Sequence, residues 1–256
     1  MTLDQRAQNN NARSGQRVAW VTGGGSGIGA AGAASLAADG WRVVLAGRRR
    51  EALDAVAANI AGEGGGVDIL PLDVRDAAAA RDAAAEIARR HGRIDLLVNS
   101  AGVNVRKRSW ADMEVEGWNS VVDINLNGLA YCMQAVLPTM RAQQDGTIIN
   151  IASWAGRFVS KVSGAAYTSV KHAVVALTHS FNMEEFRNGL RASCISPAEV
   201  ATDIMKQRPV PVSAEDLARM LQPEDLGRTI AFVAGMPRHV CVNEVLISPT
   251  WNRSFL

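Results

Sequence analysis

The chain has 256 residues, 48% of them hydrophobic, enough for one sizeable core in a single α/β domain rather than two small ones. With 27 Lys and Arg against 25 Asp and Glu the formal net charge is +2, which argues for neither nucleic acid nor a membrane surface as partner. No apolar run is long enough to span a membrane, residues 1–16 read as a mobile polar tail without a leader segment ahead of one domain over 17–256, and Cys132, Cys194 and Cys241 read as free thiols in a reducing cytoplasm.

Short apolar runs alternate with helical stretches along the chain. Strands are expected at 17–22, 42–46, 67–71, 95–99, 146–152, 191–196 and 244–248, and helices at 28–39, 49–61, 76–91, 116–141, 165–188 and 223–235. That alternation predicts a doubly wound α/β fold: a seven-stranded, mostly parallel sheet with helices on both faces. Ligands of such sheets sit beyond the carboxyl ends of the strands, so the residues following each strand carry the most information.

The first strand runs into Thr22-Gly23-Gly24-Gly25-Ser26-Gly27-Ile28-Gly29. As composition alone this is linker-like, but only 16 residues precede the strand and an Ala-rich helix follows. Glycines between a strand and a helix N-terminus let the backbone turn sharply, approach a ligand and present free N–H groups. Gly23, Gly25, Ser26, Gly27, Ile28 and Gly29 thus read as a pyrophosphate cradle. After the second strand comes Gly47-Arg48-Arg49-Arg50. No acid stands there for ribose hydroxyls, and Arg48 can pair with a 2′-phosphate, unless the arginines are only a solvated helix start.

Asp73, after the third strand, is open to two uses: accepting from an adenine amino group or capping the next helix, which Asp76 also opens. In Asn99-Ser100-Ala101-Gly102 the small residues give a cofactor room to pass, and Asn99 can tie neighbouring strand ends together. Ser153 follows the fifth strand, and Tyr167 and Lys171 come later, four apart on one helix face. An ammonium beside a phenol favours the phenolate and makes Tyr167 a general acid/base, while Ser153 can donate to a substrate oxygen.

Taken together, TGGGSGIG, LDV, NSAG, the Asn of DINLNG, the Ser of NIAS, YTSVK and SPAEVAT resemble the short-chain dehydrogenase/reductase family over about residues 17–249. The resemblance implies a single Rossmann-type domain and reversible hydride transfer between NADP(H), with NAD(H) as the alternative, and a small carbonyl compound or secondary alcohol. A non-catalytic dinucleotide sensor on the same fold is the competing reading from another class. In the family's scheme Tyr167 passes the proton, Lys171 lowers its pKa and holds the nicotinamide ribose, Ser153 polarises the substrate oxygen, and Asn125 supports a water relay. The implied cofactor contacts extend to Arg48, Asp73, Val74, Asn99, Ala101, Gly102, Pro197, Val200 and Thr202.

Two departures stand out: Ala198 where the family usually has glycine, and Ser26 where NADP-preferring relatives often carry a basic residue. The expected substrate pocket is Trp154, Arg157, Phe158 and Met205, with Val159 and Trp110 nearby and a lid over 203–222. Arg106-Lys107-Arg108 reads as solvated loop charge. The resemblance also implies a homo-oligomer, most often a tetramer, with Trp251 to Leu256 reaching a neighbouring subunit. No spacing among the four histidines suggests a metal site.

Overall fold

The computed structural model describes residues 15–253; residues 1–14 and 254–256 lie outside it, and with them almost all of the expected tail and half of the 251–256 segment. Seven strands form one sheet: β1 (Val18–Thr22), β2 (Arg42–Gly47), β3 (Val67–Pro71), β4 (Leu96–Asn99), β5 (Gly146–Ile151), β6 (Leu190–Pro197) and β7 (Glu244–Ile247). They lie in the order β3-β2-β1-β4-β5-β6-β7, and every pair is parallel. The helices are α1 (Gly27–Ala38), α2 (Arg50–Gly62), α3 (Ala77–His91), α4 (Val115–Val122), α5 (Gly128–Gln143), α6 (Ala165–Glu185), α7 (Ala214–Arg219) and α8 (Pro223–Ala234).

Side chains alternate across each strand, so the sheet feeds two cores. Trp20, Val44, Leu97 and Ile148 pack on one face with Ile87 of α3 and Val136 and Met140 of α5. Val21, Leu45, Val98 and Ile149 pack on the other with Leu36 of α1, Leu53 of α2 and Ile230 of α8. Strand order reverses between β1 and β4, which opens a crevice beyond their carboxyl ends.

The expected helix over 116–141 is interrupted. Between α4 and α5 the chain makes a π-helical turn, Asp123–Asn127, while Val122 and Gly128 keep right-handed helical angles. A wider turn re-aims side chains, and here Asn125 is buried and bonded at both amide atoms to the Val103 backbone, each at 2.8 Å. The expected helix over 165–188 ends as α6 at Glu185, then makes a 3₁₀ turn that stops at Gly189, φ +74°. The lid carries structure that no periodicity announced: a 3₁₀ segment over Asp203–Gln207 and the short α7. Asp76 caps α3 as expected, accepting from Ala78 N and Ala79 N. Cys132, Cys194 and Cys241 are free. Among the described residues no helix is long and apolar enough to cross a membrane.

Candidate active site

The end of β1 is tied to the end of β4. The Thr22 hydroxyl accepts from the backbone N–H of Ser100 at 3.3 Å and of Ala101 at 3.4 Å. Gly23 follows at φ +67°, and a Cβ there would lie 2.7 Å from Ala101 N. On α1, a Cβ at Gly29 would lie 2.4 Å from Gly23 O. Neither position has room for a side chain, so main chain packs on main chain and the turn is drawn across the helix N-terminus. Ser26 is the N-cap of α1 but makes no side-chain capping bond, and the first turn of α1 has no acid. The free N–H groups and positive dipole end form a donor set that fits a pyrophosphate.

The rest of the crevice fits a dinucleotide as well. Arg48 is exposed just beyond β2 and pairs with no carboxylate among the described residues. Asp73 is gripped by Arg75, whose Nε lies 3.0 Å from both carboxylate oxygens, and this bonding holds its carboxyl below the usual range. Asp73 therefore does not cap α3, the role Asp76 fills. Val74 is buried against Gly128. Asn99 donates to Asn150 Oδ1 at 2.9 Å, tying β4 to β5 as expected, yet its own buried Oδ1 has no hydrogen-bond partner.

Pro197 ends β6, Thr202 N donates to Val200 O at 2.8 Å, and a Cβ on Gly27 would meet Thr202 Cγ2 at 3.0 Å. Thr202 thus closes over the glycine turn. Ala198 carries no strain: among the described residues Gln144 is the one non-glycine with positive φ.

A single cavity of about 980 Å³ runs from Gly23, Ser26, Gly27 and Ile28 past Ala101 and Gly102 to Ser153, Tyr167 and Lys171, with Pro197, Val200 and Thr202 on its wall. Ser153 Oγ accepts from Ala155 N at 3.1 Å, which fixes the hydroxyl at the end of β5. Tyr167 and Lys171 stand one turn apart on α6. Lys171 is buried, its Nζ 2.7 Å from Ile151 O and 5.4 Å from the centre of the Tyr167 ring. Burial pulls the ammonium down to about 8.

Burial pushes the Tyr167 phenol up, and a hydrogen bond from Ser153 and the charges of Arg208 and Arg108 oppose it. The Lys171 ammonium stands over the Tyr167 ring while bonded to the Ile151 carbonyl. A methyl group at Gly102 would sit 3.5 Å from Asn125 Oδ1 and 4.0 Å from Lys171 Nζ, so amide and ammonium flank one narrow gap.

The substrate end differs from expectation. Trp154 and Met205 line the cavity, but Arg157 and Phe158 do not. Arg157 is drawn away by Glu244 of β7, with Nε 2.6 Å from Oε1. Phe158 stacks on the outer side of Trp154 at 4.7 Å and stays exposed, as do Val159 and Trp110. The cationic lining comes instead from residues passed over as loop charge. Arg108 is 6% exposed and lines the cavity. Its Nε donates to Val105 O at 2.7 Å, Nη1 to Val162 O at 3.0 Å, and Nη2 to Gln207 O. Arg208 pairs with Glu199, which Arg253 also holds at 2.8 Å. No local pattern signals these contacts, because the partners come from loops far apart in sequence. Among the described residues no His, Cys, Asp and Glu group could hold a metal.

The profile of the short chain dehydrogenase family matches residues 17–211. An uncharacterized oxidoreductase of Staphylococcus haemolyticus is 36% identical over 233 residues, 91% of this chain and 97% of the relative. A metagenomic short-chain oxidoreductase in complex with NADP is 32% identical with a TM-score of 0.79, over 92% of this chain and 98% of that one. The closed form of a serine dehydrogenase complexed with NADP+ is 30% identical with a TM-score of 0.83, over 91% and 94%.

Proposed function

The chain belongs to the short-chain dehydrogenase family of NAD(P)-dependent oxidoreductases, and from that premise we propose that it moves a hydride between NADP(H) and a small carbonyl compound or secondary alcohol, with Tyr167 carrying the proton. The observation that carries this reading is one cavity that joins a phosphate-fitting glycine turn to Ser153, Tyr167 and Lys171.

When bound, the dinucleotide supplies or accepts the hydride. Gly23 to Gly29 and the N-terminus of α1 would hold its pyrophosphate, and Thr202 and Val200 would hold the nicotinamide end. Burial raises the Tyr167 phenol above its ordinary value, so it holds a proton that it can pass to a carbonyl oxygen. Ser153 donates to the same oxygen as charge develops on it. Lys171, anchored on Ile151 O, keeps a positive charge beside the phenolate left behind, and Asn125 across the Gly102 gap would support a chain of waters that relays protons to solvent.

NADP(H) is favoured over NAD(H) because Arg48 stands exposed and unpaired where a 2′-phosphate would lie. We further propose a cytoplasmic location, where its free cysteines stay reduced, and a homotetramer, with exposed Phe232 on α8 and exposed Leu246 on edge strand β7 as candidate contact residues. A fluorescence titration with NADPH and with NADH at one ionic strength tests the cofactor. NADPH should bind tighter, and Arg48→Ala should erase a preference of roughly 10- to 100-fold. Equal or tighter NADH binding overturns the NADP assignment. Binding of neither, with no turnover of a carbonyl panel, overturns the enzyme.

A further inference from the structure

Arg108 is a buried cation without an anion. Its guanidinium carries five N–H groups, and three are taken by the carbonyls of Val105, Val162 and Gln207. That leaves one N–H on each terminal nitrogen, two charged donors for an anion such as a carboxylate. No carboxylate among the described residues pairs with it. The charged groups that act on it are Arg208 and Tyr167.

The neighbouring charges are already matched. Glu199 is shared by Arg208 and Arg253, Asp216 takes Arg253 at 3.0 Å, and Asp203 is paired with Lys206. Among the described residues Arg108 is therefore the one arginine of the cavity wall without a carboxylate; it is 6% exposed, on a wall that also carries Trp154, Val162, Ile204 and Met205. Its place is rigid. Gly164, φ +80°, caps α6 two residues before Ala166, and a Cβ there would lie 2.6 Å from Arg108 Cβ. The arginine is thus packed on the N-terminus of the helix that carries Tyr167. A buried charge is costly unless it is paired, and a site held ready in this way recognises the ion that completes it.

We propose that Arg108 is the carboxylate anchor of the substrate pocket, and that the preferred substrate is a short oxo acid or hydroxy acid held by its carboxylate while its carbonyl or hydroxyl oxygen faces Ser153 and Tyr167. This rests on the oxidoreductase reading above. The glycine turn lines the cavity and Arg48 stands exposed beyond β2, and both are proposed to serve the dinucleotide's phosphates, so Arg108 is not needed for them.

Two matched pairs test it in NADPH-oxidation assays: 4-oxobutanoate against its methyl ester, and 4-formylbenzoate against its methyl ester. The acids should be preferred by roughly 10- to 100-fold in kcat/KM, mostly through KM, as for a charged hydrogen-bonded pair. Arg108→Gln should bring the ratio near one, and Arg108→Lys should restore part of it. Because either variant could loosen the loops, calorimetry on the wild-type protein reads the anion preference without a substitution there: benzoate should bind more tightly than benzamide, and Lys161→Gln, on the same wall, should leave that difference unchanged. Esters turned over as well as acids, a ratio that survives in Arg108→Gln, or benzoate binding no tighter than benzamide each overturns the proposal. So does a loss of NADPH affinity in both variants, which would place a cofactor phosphate on Arg108. Failure of the oxidoreductase reading looks different: benzoate binds, and no aldehyde is reduced with either dinucleotide.

Discussion

The two ends of the cavity are built from different material. The dinucleotide end is main chain: Gly23 against Ala101, Gly29 against Gly23 O, and the bare N-terminus of α1, all placed by the pairing of β1 with β4. The substrate end is side chain: Arg108 reaching Val162 O and Gln207 O, and Glu199 shared by two arginines that come from the lid and the last turn of the chain. A site made of backbone fails when anything is added to it. A site made of side chains fails one contact at a time, and its chemistry can change without disturbing the fold. The groups proposed to react sit at the junction, with Ser153 and Lys171 bonded to main chain and Tyr167 on the cavity wall.

The junction should give the largest effect. Tyr167→Phe removes the proton donor and leaves the glycine turn untouched, so kcat should fall by about 10³-fold while NADPH affinity holds. A variant with wild-type kcat would take Tyr167 out of the chemistry. Next comes the main-chain end. Gly23→Ala puts a methyl 2.7 Å from Ala101 N at a φ of +67°, which should cost about 1–3 kcal/mol of stability and most of the NADPH affinity. The mirror test is Ala198→Gly. Ala198 has no positive φ, so the family-like glycine should leave NADPH affinity alone and lower stability by up to about 1 kcal/mol through added freedom of the unfolded chain. Melting curves with NADPH titrations read both.

The same division decides what the sequence could show. Sheet order places the end of every strand, so Thr22 to Gly29, Asn99 to Gly102 and Ser153 could be located from apolar runs and glycines alone. Helical spacing put Tyr167 and Lys171 on one face, and the strand-end Ser153 and the glycine turn upstream gave that pair its meaning. Asn125 was found without its setting, because a π turn adds a residue that a 3.6-residue periodicity smooths over. Arg108 was legible only as one of three adjacent cations. Its burial depends on carbonyls 54 and 99 positions away, and nothing local distinguishes it from the exposed Lys107, which pairs with Glu114 at the surface. Arg157 was misplaced for the same reason, since the carboxylate that draws it off the cavity lies 87 positions along the chain.

The pH response sharpens the contrast between the groups at the junction and the arginines beyond it. Lys171 has its pKa lowered from 10.5 to about 8, with burial the leading cause. It is charged below that value and loses its proton above it. If the ammonium supports the Tyr167 phenolate, kcat/KM for carbonyl reduction should be flat up to about pH 8 and then fall, approaching tenfold per pH unit. A guanidinium keeps its charge across this range, so the preference for acid over ester should stay constant through the fall. A rate that stays level to pH 10 would separate Lys171 from the proton transfer. A ratio that falls with the rate would tie the anchoring cation to Lys171 instead of Arg108.

The smallest effect should come from Arg157, and it is the most direct check on where the pocket ends. Its guanidinium is 39% exposed and paired with Glu244 of β7, outside the cavity wall. Exposed ion pairs contribute at most about 1 kcal/mol, because water and salt screen the attraction and ordering two long side chains opposes it. Arg157→Ala should therefore shift the melting temperature by a few degrees or less and leave kcat/KM unchanged for both acid and ester. If it instead abolished the preference for the acid while Arg108→Gln kept it, the anionic end of the substrate would point toward β7, and the boundary between the two halves of the cavity would have to be redrawn there.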